Sequence, residues 1–552
     1  MEEIREQLQK IIKNLYNLDF EPELTPSPEN IDADYSTNAP LKLAKDLHKP
    51  PMLIAEELKK YAFKEAFQEN IFLSSPGFIN FKLSDKYLKQ KINTLSNNFS
   101  DSIKSDKYSG KTIICEFSDP NPFKVLHVGH LYTSIVGDAI SRLYEYSGAK
   151  VIRANFGGDV GLHVAKTIYA LQQKDTRNLQ IEDIAKCYIE GTSLYDEDEK
   201  AHQAITKLNK EIYKINAENL HETPLAELYW RGRELSYAYF NDFYAKIGVK
   251  FDKYYPESTV AALGLATVQR ELANGVYQMS DGAVIFDGDK YGLHTRVFIN
   301  KEGVPTYEAK DVGLIFSKDR DYHFDKSIVI TGSEQLEYMK VVLKSIEQYA
   351  PDLVAKTTHL THGLVKLPGG VKMSSRKGNF LKAVDVLNMV DEALKSEYNS
   401  TDQKVSLAAT KYAFLKYKMG GDIIFDPEES VKMTGNSGPY LLYSAVRAKK
   451  ILQKLSEHPK SDTGSELEPS ERALAKKIIE YRSILNDAVS ELAPHKLTTY
   501  LYELAQDFSR FYENCPVAGS DREARRTKLV RIYLDTITHG LNLLGIEIPE
   551  EM

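Results

Sequence analysis

At 552 residues, with 42% hydrophobic and 27% charged side chains, the chain is long enough to bury several cores, and its length suggests three or four domains. No run approaches the roughly 18 apolar residues of a membrane span, and the opening MEEIREQLQKIIKNL reads as a charged amphipathic helix without a signal-peptide core, so the cytoplasm is the expected compartment. A net charge of −7 argues against whole-chain polyanion binding and leaves RNA contact to local surfaces, while the widely separated Cys115, Cys187 and Cys515 exclude a CxxC zinc pair and read as plain buried thiols.

Residues 1–108 alternate helical patterns with one extended piece, Ser75-Pro-Gly-Phe-Ile-Asn-Phe-Lys82, in which Pro76 and Gly77 turn the chain before an alternating strand. This predicts a small α/β domain. From Lys111 the pattern runs strand, loop, helix, strand: 112–117 extended, 128–146 helical with Gly148 as its stop, and 151–155 extended again. Further strands at 327–331 and 361–367, and a helix from about Leu336, predict a Rossmann-like, mostly parallel sheet within 109–398. Beyond Ser400 helical patterns dominate at 403–419, 438–455, 493–512 and 522–544, with a polar loop at 458–469, and predict an all-α domain over 399–552.

Two motifs carry chemistry. His127-Val-Gly-His130 falls where the chain leaves a strand and opens a helix, a place where free backbone N–H groups and the positive helix end suit an anion. The two imidazoles share one helical face, and Gly129 removes a side chain that would block close approach. A metal reading of the pair lacks a third ligand nearby. Far downstream, Gly369 and Gly370 free the backbone before Lys372-Met-Ser-Ser-Arg-Lys-Gly-Asn379, where Lys372, Arg376 and Lys377 set three cations within six residues. Such a loop can close on a triphosphate and stabilise charge as pyrophosphate leaves. Taken singly, the motifs read equally as surface histidines and a solvated basic loop; together they point to one ATP.

The combination resembles the class I aminoacyl-tRNA synthetases, and the surrounding residues resemble arginyl-tRNA synthetase. The resemblance runs through Glu116-Phe-Ser-Asp-Pro-Asn121, Lys124, Gly158-Asp-Val-Gly161, Thr306-Tyr-x-x-Lys-Asp311, Gly332-Ser-Glu-Gln335 and Gly435-Asn-Ser-Gly-Pro-Tyr-x-x-Tyr443, and reaches both ends of the chain. It implies an ATP site at His127, Gly129, His130, Gly158, Asp159, Lys372, Met373, Ser374 and Ser375. Arginine contacts are implied at Glu257, Tyr307 and Asp311, with Asn121 and Gln335 at the α-amino end and Glu116 in support. A guanidinium offers five donors in a fixed fork, so a selective pocket needs carboxylates around it. Catalysis is expected from His127, His130, Lys372 and Lys377; because the fourth place of the lysine loop is Ser375, the displaced charge is expected from Lys124, Arg376 or Lys377.

For tRNA the resemblance implies Phe78 and Asn80 in the N-terminal domain, and Tyr440, Tyr443, Arg447 and Met552 on the anticodon side. The basic run 522–531 reads as a solvated helix face. Expected partners are ATP with Mg²⁺, L-arginine and tRNA(Arg), with no tightly bound cofactor, zinc or membrane, and the chain is expected to be a monomer. Transfer to the 2′-hydroxyl and a need for tRNA during activation are further implications. Asp119, Val160 and His163 depart from the family's usual residues. The alternatives are a class I synthetase for another amino acid, a small-substrate adenylyltransferase, or a tRNA-binding protein without catalysis.

Overall fold

The structure is a computed structural model that describes residues 2–28, 30–61, 71–369, 381–455 and 466–552. In the first helix, Glu2–Tyr16, Ile4, Leu8 and Ile12 recur on one stripe and are buried. They share a core with Tyr35, Ile79 and Phe81 of an antiparallel sheet. Its strands are β1 (Thr25–Pro26), β2 (Tyr35–Thr37), β3 (Ile71–Ser74) and β4 (Phe78–Phe81), paired in the order β1-β2-β4-β3.

The central sheet is parallel. It is built from β5 (Thr112–Glu116), β6 (Lys150–Gly157) and β7 (Lys253–Pro256), and, after an antiparallel insertion of β8 (Gln278–Ser280), β9 (Ala283–Phe286) and β10 (Arg296–Ile299), from β11 (Lys326–Gly332) and β12 (Thr357–His362). The order β12-β11-β5-β6-β7 reverses direction at β5, which opens a crevice beyond the carboxyl ends of the strands. Alternation along each strand feeds two layers. Ile113, Cys115, Ile328 and Ile330 join the core of Leu131 and Ile135 from helix Val128–Tyr146. Ile114 and Val329 instead join Val260, Val312 and Val342 from helices Glu257–Ala273, Tyr307–Tyr322 and Leu336–Glu347. Strands covered on both faces need near-continuous apolar runs, as β5 and β11 have in Ile113–Cys115 and Ile328–Ile330.

Two helices of the second layer cross on bare backbone. A Cβ on Gly264 would lie 1.9 Å from the Ala309 carbonyl oxygen, and one on Gly313 would lie 2.2 Å from that of Val260. The crossing brings the first turns of Glu257–Ala273 and Tyr307–Tyr322 together, and with them Glu257 and Lys310.

Several sequence expectations change. The strand expected at 361–367 is two: β12 ends at His362, and β13 (Val365–Lys366) pairs with β14 (Ile423–Ile424). Gly363 makes the break, because a Cβ there would lie 2.4 Å from Gly421 backbone. Helices Ile181–Glu197, Glu199–Ala217 and Pro224–Lys246, inserted between β6 and β7, the β8–β10 sheet and helix Pro469–Ser490 are not resolved by the sequence reading. The run 522–531 is no solvated face: Arg525 and Arg526 are buried, Arg526 Nε donates to Glu471 Oε1 at 2.7 Å, and Arg522 pairs with Glu468 at 3.0 Å.

Helix Pro469–Ser490 also locks the two ends of the chain together. Arg472 reaches Asp34 at 2.5 Å and Asp85 at 2.8 Å, and the buried Tyr35 hydroxyl donates to Glu480 at 2.8 Å. The cysteines are buried and free, and among the described residues no helix is long and apolar enough to cross a membrane.

Candidate active site

The chain leaves β5 through a left-handed turn, with φ of 72° at Ser118 and 51° at Asp119. Such backbone costs about 1 kcal/mol or more per residue and persists where its surroundings hold it. Here the Ser118 and Tyr244 hydroxyls lie 2.8 Å apart, and Phe156 N donates to Asp119 Oδ1 at 2.8 Å. Burial pushes the Asp119 carboxyl well above its usual range, and the Glu116 charge adds to the effect.

His127 caps the next helix. Gly129 N donates to His127 Nδ1, and His127 N donates to His130 Nδ1, each at 3.1 Å, while the two rings stack at 3.7 Å. A ring nitrogen that accepts from an amide carries no proton, so each neutral imidazole holds its proton on Nε2. Both rings are neutral at pH 7: burial, with Lys124 and His362 nearby, lowers His127 to about 4, and burial followed by His127 and Lys124 holds His130 well below its ordinary value. The turn therefore carries two Nε2–H groups. A Cβ on Gly129 would lie 2.9 Å from His127 Cε1 and displace the ring.

This turn forms one wall of a cavity of about 260 Å³ at the carboxyl ends of the strands. Ser118, Asp119, Asn121, His127, Gly129, His130 and Thr133 line one side; Ile330, Thr331, Gly332, Glu334, Gln335 and His362 line the other. Lys372, Met373, Ser374, Ser375, Arg376 and Lys377 lie outside the described residues, but both flanks of that segment are fixed at the cleft. On one side β12 ends with His362 in the wall. On the other, Val128 N donates to Leu381 O and Ala383 N to Leu126 O, both at 2.9 Å, which stitches residues 381–383 to the histidine turn.

A cluster of buried acidic side chains adjoins this cavity through Asn121. Gly158 N donates to Asn121 Oδ1 at 2.7 Å, and a Cβ on Gly158 would lie 2.9 Å from both Asn121 Oδ1 and Glu257 Oε1. His163 Nε2 donates to the Gly158 carbonyl at 2.7 Å and holds this stretch in place. Glu257, Asp311 and Glu116 are all buried. Lys310 Nζ sits 2.6 Å from Glu257 Oε2 and donates to Tyr213 at 3.0 Å; burial opposes its charge, but Glu257 and Tyr213 raise its pKa overall. Lys318 pairs with Glu116, and Tyr338 donates to Asp311. Burial still pushes Asp311 up to about 7, with Glu116 and Glu257 adding to it. Tyr307, one helical turn from Asp311, is 57% exposed, with Lys310 Nζ 5.1 Å from its ring centroid.

Two expected ligands have other work. Asp159 is buried, accepts from Ser258 N at 3.0 Å and Ser258 Oγ at 2.7 Å, and pairs with Arg233 at 3.0 Å. It caps the helix that carries Glu257 and so positions that side chain. Asn80, expected at a base edge, is fully buried, with its amide bonded to Ser36, Phe72 and Ser74. Phe78 beside it is half-buried. Lys124 lies over the Tyr188 ring at 4.6 Å.

On the helical domain, Tyr443, Arg447 and Met552 line one groove with Lys450, Lys454 and Tyr512. Arg447 lies 4.7 Å over the Tyr443 ring and 4.9 Å over Tyr512. Tyr440 instead packs inward, 3.3 Å from Ser509. Among the described residues, the cluster close enough to hold a metal is Glu468, Glu471 and Cys515, and Arg522, Arg525 and Arg526 already neutralise it. The sequence reading assigned no role to Lys310, Tyr338 or His362; Lys310 carried a signal, since it stands between Tyr307 and Asp311.

The family model described as tRNA synthetases class I (R), catalytic domain, matches residues 92–426, more than half of the chain. The chain belongs to the arginyl-tRNA synthetase family. The model for the arginyl tRNA synthetase N terminal domain matches residues 2–83, and that for the DALR anticodon binding domain matches 441–552. The arginine–tRNA ligase of Clostridium botulinum (strain Loch Maree / Type A3) is 30% identical, covering 93% of this chain and 92% of its own. That of Treponema denticola is 29% identical over the full length of both chains. This synthetase shares its fold with the Thermus thermophilus arginyl-tRNA synthetase, at a TM-score of 0.83 and 23% identity over 100% of this chain and 99% of that one. The Plasmodium falciparum arginyl-tRNA synthetase matches at a TM-score of 0.81 and 22% identity, with the same coverage.

Proposed function

We propose that this enzyme joins L-arginine to tRNA(Arg), consuming ATP as its Mg²⁺ complex and releasing AMP and pyrophosphate. In the first step an arginine carboxylate oxygen attacks the α-phosphorus of ATP, the bond to the bridging oxygen breaks, and pyrophosphate leaves. In the second, the 2′-hydroxyl of the tRNA's terminal adenosine attacks the carbonyl carbon of arginyl-adenylate, and AMP leaves. No covalent enzyme intermediate is needed; positioning and charge stabilisation do the chemistry. His127 and His130 offer Nε2–H donors to the phosphates, with Gly129 and Gly158 giving close backbone approach.

The stitching of residues 381–383 onto Leu126–Val128 supports this reading most directly. Lys372, Arg376 and Lys377, with Lys124, supply the cationic set, and their segment joins the chain at this stitched flank. Met373, Ser374 and Ser375 belong to the same segment. The neighbouring pocket takes the guanidinium on Glu257, Asp311 and the Tyr307 ring, with Glu116 behind and Asn121 and Gln335 at the α-amino end. Lysine lacks the planar fork and would leave a buried acceptor unpaired, a loss of about 1–3 kcal/mol. An adenylyltransferase would have no use for the anticodon-type domain.

The tRNA lies along Phe78, Tyr443, Arg447 and Met552, and must be bound for activation. The enzyme works as a cytoplasmic monomer, with domains at 1–108, 109–398 and 399–552, because both tRNA-facing domains lie on one chain and clamp each other through Arg472. The test is ATP–pyrophosphate exchange with tRNA present. His130→Ala should lower kcat about a hundredfold with arginine binding intact; full exchange in that variant would remove the histidine from the mechanism.

A further inference from the structure

We infer that His362 reads the nucleoside half of ATP, accepting on Nε2 a hydrogen bond from adenosine; this rests on the cleft holding ATP as proposed above. His362 is the last residue of β12, 9% exposed, and in the cleft wall. Its Nδ1 lies 2.6 Å from the Gly363 carbonyl oxygen. A carbonyl oxygen only accepts, so Nδ1 carries the proton. Burial lowers the pKa of the ring and keeps it neutral at pH 7, which leaves Nε2 as a bare acceptor. That polarity is opposite to His127 and His130, whose Nε2 atoms donate.

The orientation is fixed by packing. The Tyr132 ring meets His362 edge-on at 4.9 Å and 80°. The Gly363 carbonyl that sets the tautomer follows from a backbone pressed against Gly421, and Leu364 N is held by Asp422 at 2.8 Å. His362 Cε1, the neighbour of Nε2, lies 4.0 Å from where a Cβ on Gly129 would stand, so this ring edge abuts the histidine turn. Among the described residues the Gly363 carbonyl is the one hydrogen-bond partner of the ring.

A buried acceptor facing a ligand needs a donor from it. The phosphate oxygens of ATP only accept, and they match the two Nε2–H groups across the cleft. The donors of ATP are the adenine amino group and the two ribose hydroxyls, all on the nucleoside. His362 therefore sorts the ligand end for end: phosphates toward His127 and His130, nucleoside toward β12.

Pyrophosphate exchange with saturating tRNA tests this in the full-length enzyme, with parent, His362→Ala and His362→Gln compared on ATP, 2′-deoxy-ATP, 3′-deoxy-ATP and purine riboside triphosphate, which lacks the amino group. His362→Ala should raise the KM for ATP about tenfold and leave the KM for arginine unchanged. His362→Gln, which keeps an acceptor at similar reach, should recover most of the loss. One analogue should be penalised in the parent and not in His362→Ala, and that analogue names the donor. An ATP KM in His362→Ala equal to that of the parent, or analogue penalties identical in the two, overturns the inference. So does a loss shared by kcat and arginine KM that Gln does not rescue, which marks a merely structural residue. A parent that shows no ATP-dependent exchange would instead overturn the proposed function.

Discussion

Arginine brings a guanidinium that stays charged at every accessible pH, whereas Asp311, pushed up to about 7 by burial, does not. The bound guanidinium favours the carboxylate, so below the free-enzyme pKa binding must expel a proton. The KM for arginine should therefore rise as pH falls below about 7, approaching tenfold per unit, and level off above it. Tyr338 donates to the carboxylate and lowers its pKa, so Tyr338→Phe should move the inflection upward. A KM that does not change between about pH 6 and 8 would contradict this. Asp311→Asn should cost about 2–5 kcal/mol of arginine binding, measured by equilibrium dialysis. The residues of this site were legible in unequal measure. His127, Gly129 and His130 announce themselves because their geometry is local to one helix start. Asp159 and Asn80 do not, because their partners Arg233, Ser258 and Ser36 come from elsewhere in the chain, and only the fold shows that their polar atoms are already used.

At the scale of elements, the crossing of helices Glu257–Ala273 and Tyr307–Tyr322 sets the spacing of Glu257, Lys310 and Asp311. Gly264→Ala would drive a Cβ to 1.9 Å from the Ala309 oxygen and must push the helices apart. Overpacking of this kind costs about 1–3 kcal/mol, so thermal unfolding should fall by several degrees and the KM for arginine should rise in the same variant. An unchanged melting temperature would mean that the helices part freely. The βαβ unit and helix Val128–Tyr146 were readable because period and stop signals coincide there. Helix Pro469–Ser490 was harder: it buries Glu471 and Glu480 against partners from distant segments, so its inward face does not read as apolar. The inserted helices 181–246 carry their own core of Ile184, Ile205 and Ile212, which periodicity places on helices without saying which neighbours they meet.

On the scale of the whole molecule, Arg472 and the Tyr35–Glu480 hydrogen bond join the N-terminal sheet to the helical domain, the two parts proposed to face tRNA. Arg472→Ala leaves the buried Asp34 with only the more distant cation Lys476, at 3.7 Å, and removes the cation at Asp85. It should raise the KM for tRNA several-fold while the arginine pocket stays intact; an unchanged KM would show that the two domains engage tRNA independently. The loop after β5, β11 and β12 line one cavity, and the buried acid cluster lies beside it through Asn121, so on the proposed reading activation and amino-acid choice share one cleft. The most direct measurement is charging of total tRNA with each of the twenty amino acids in turn. Arginine alone should be attached, with its kcat/KM reduced about a hundredfold or more by His130→Ala; attachment of another amino acid at comparable efficiency would contradict the account.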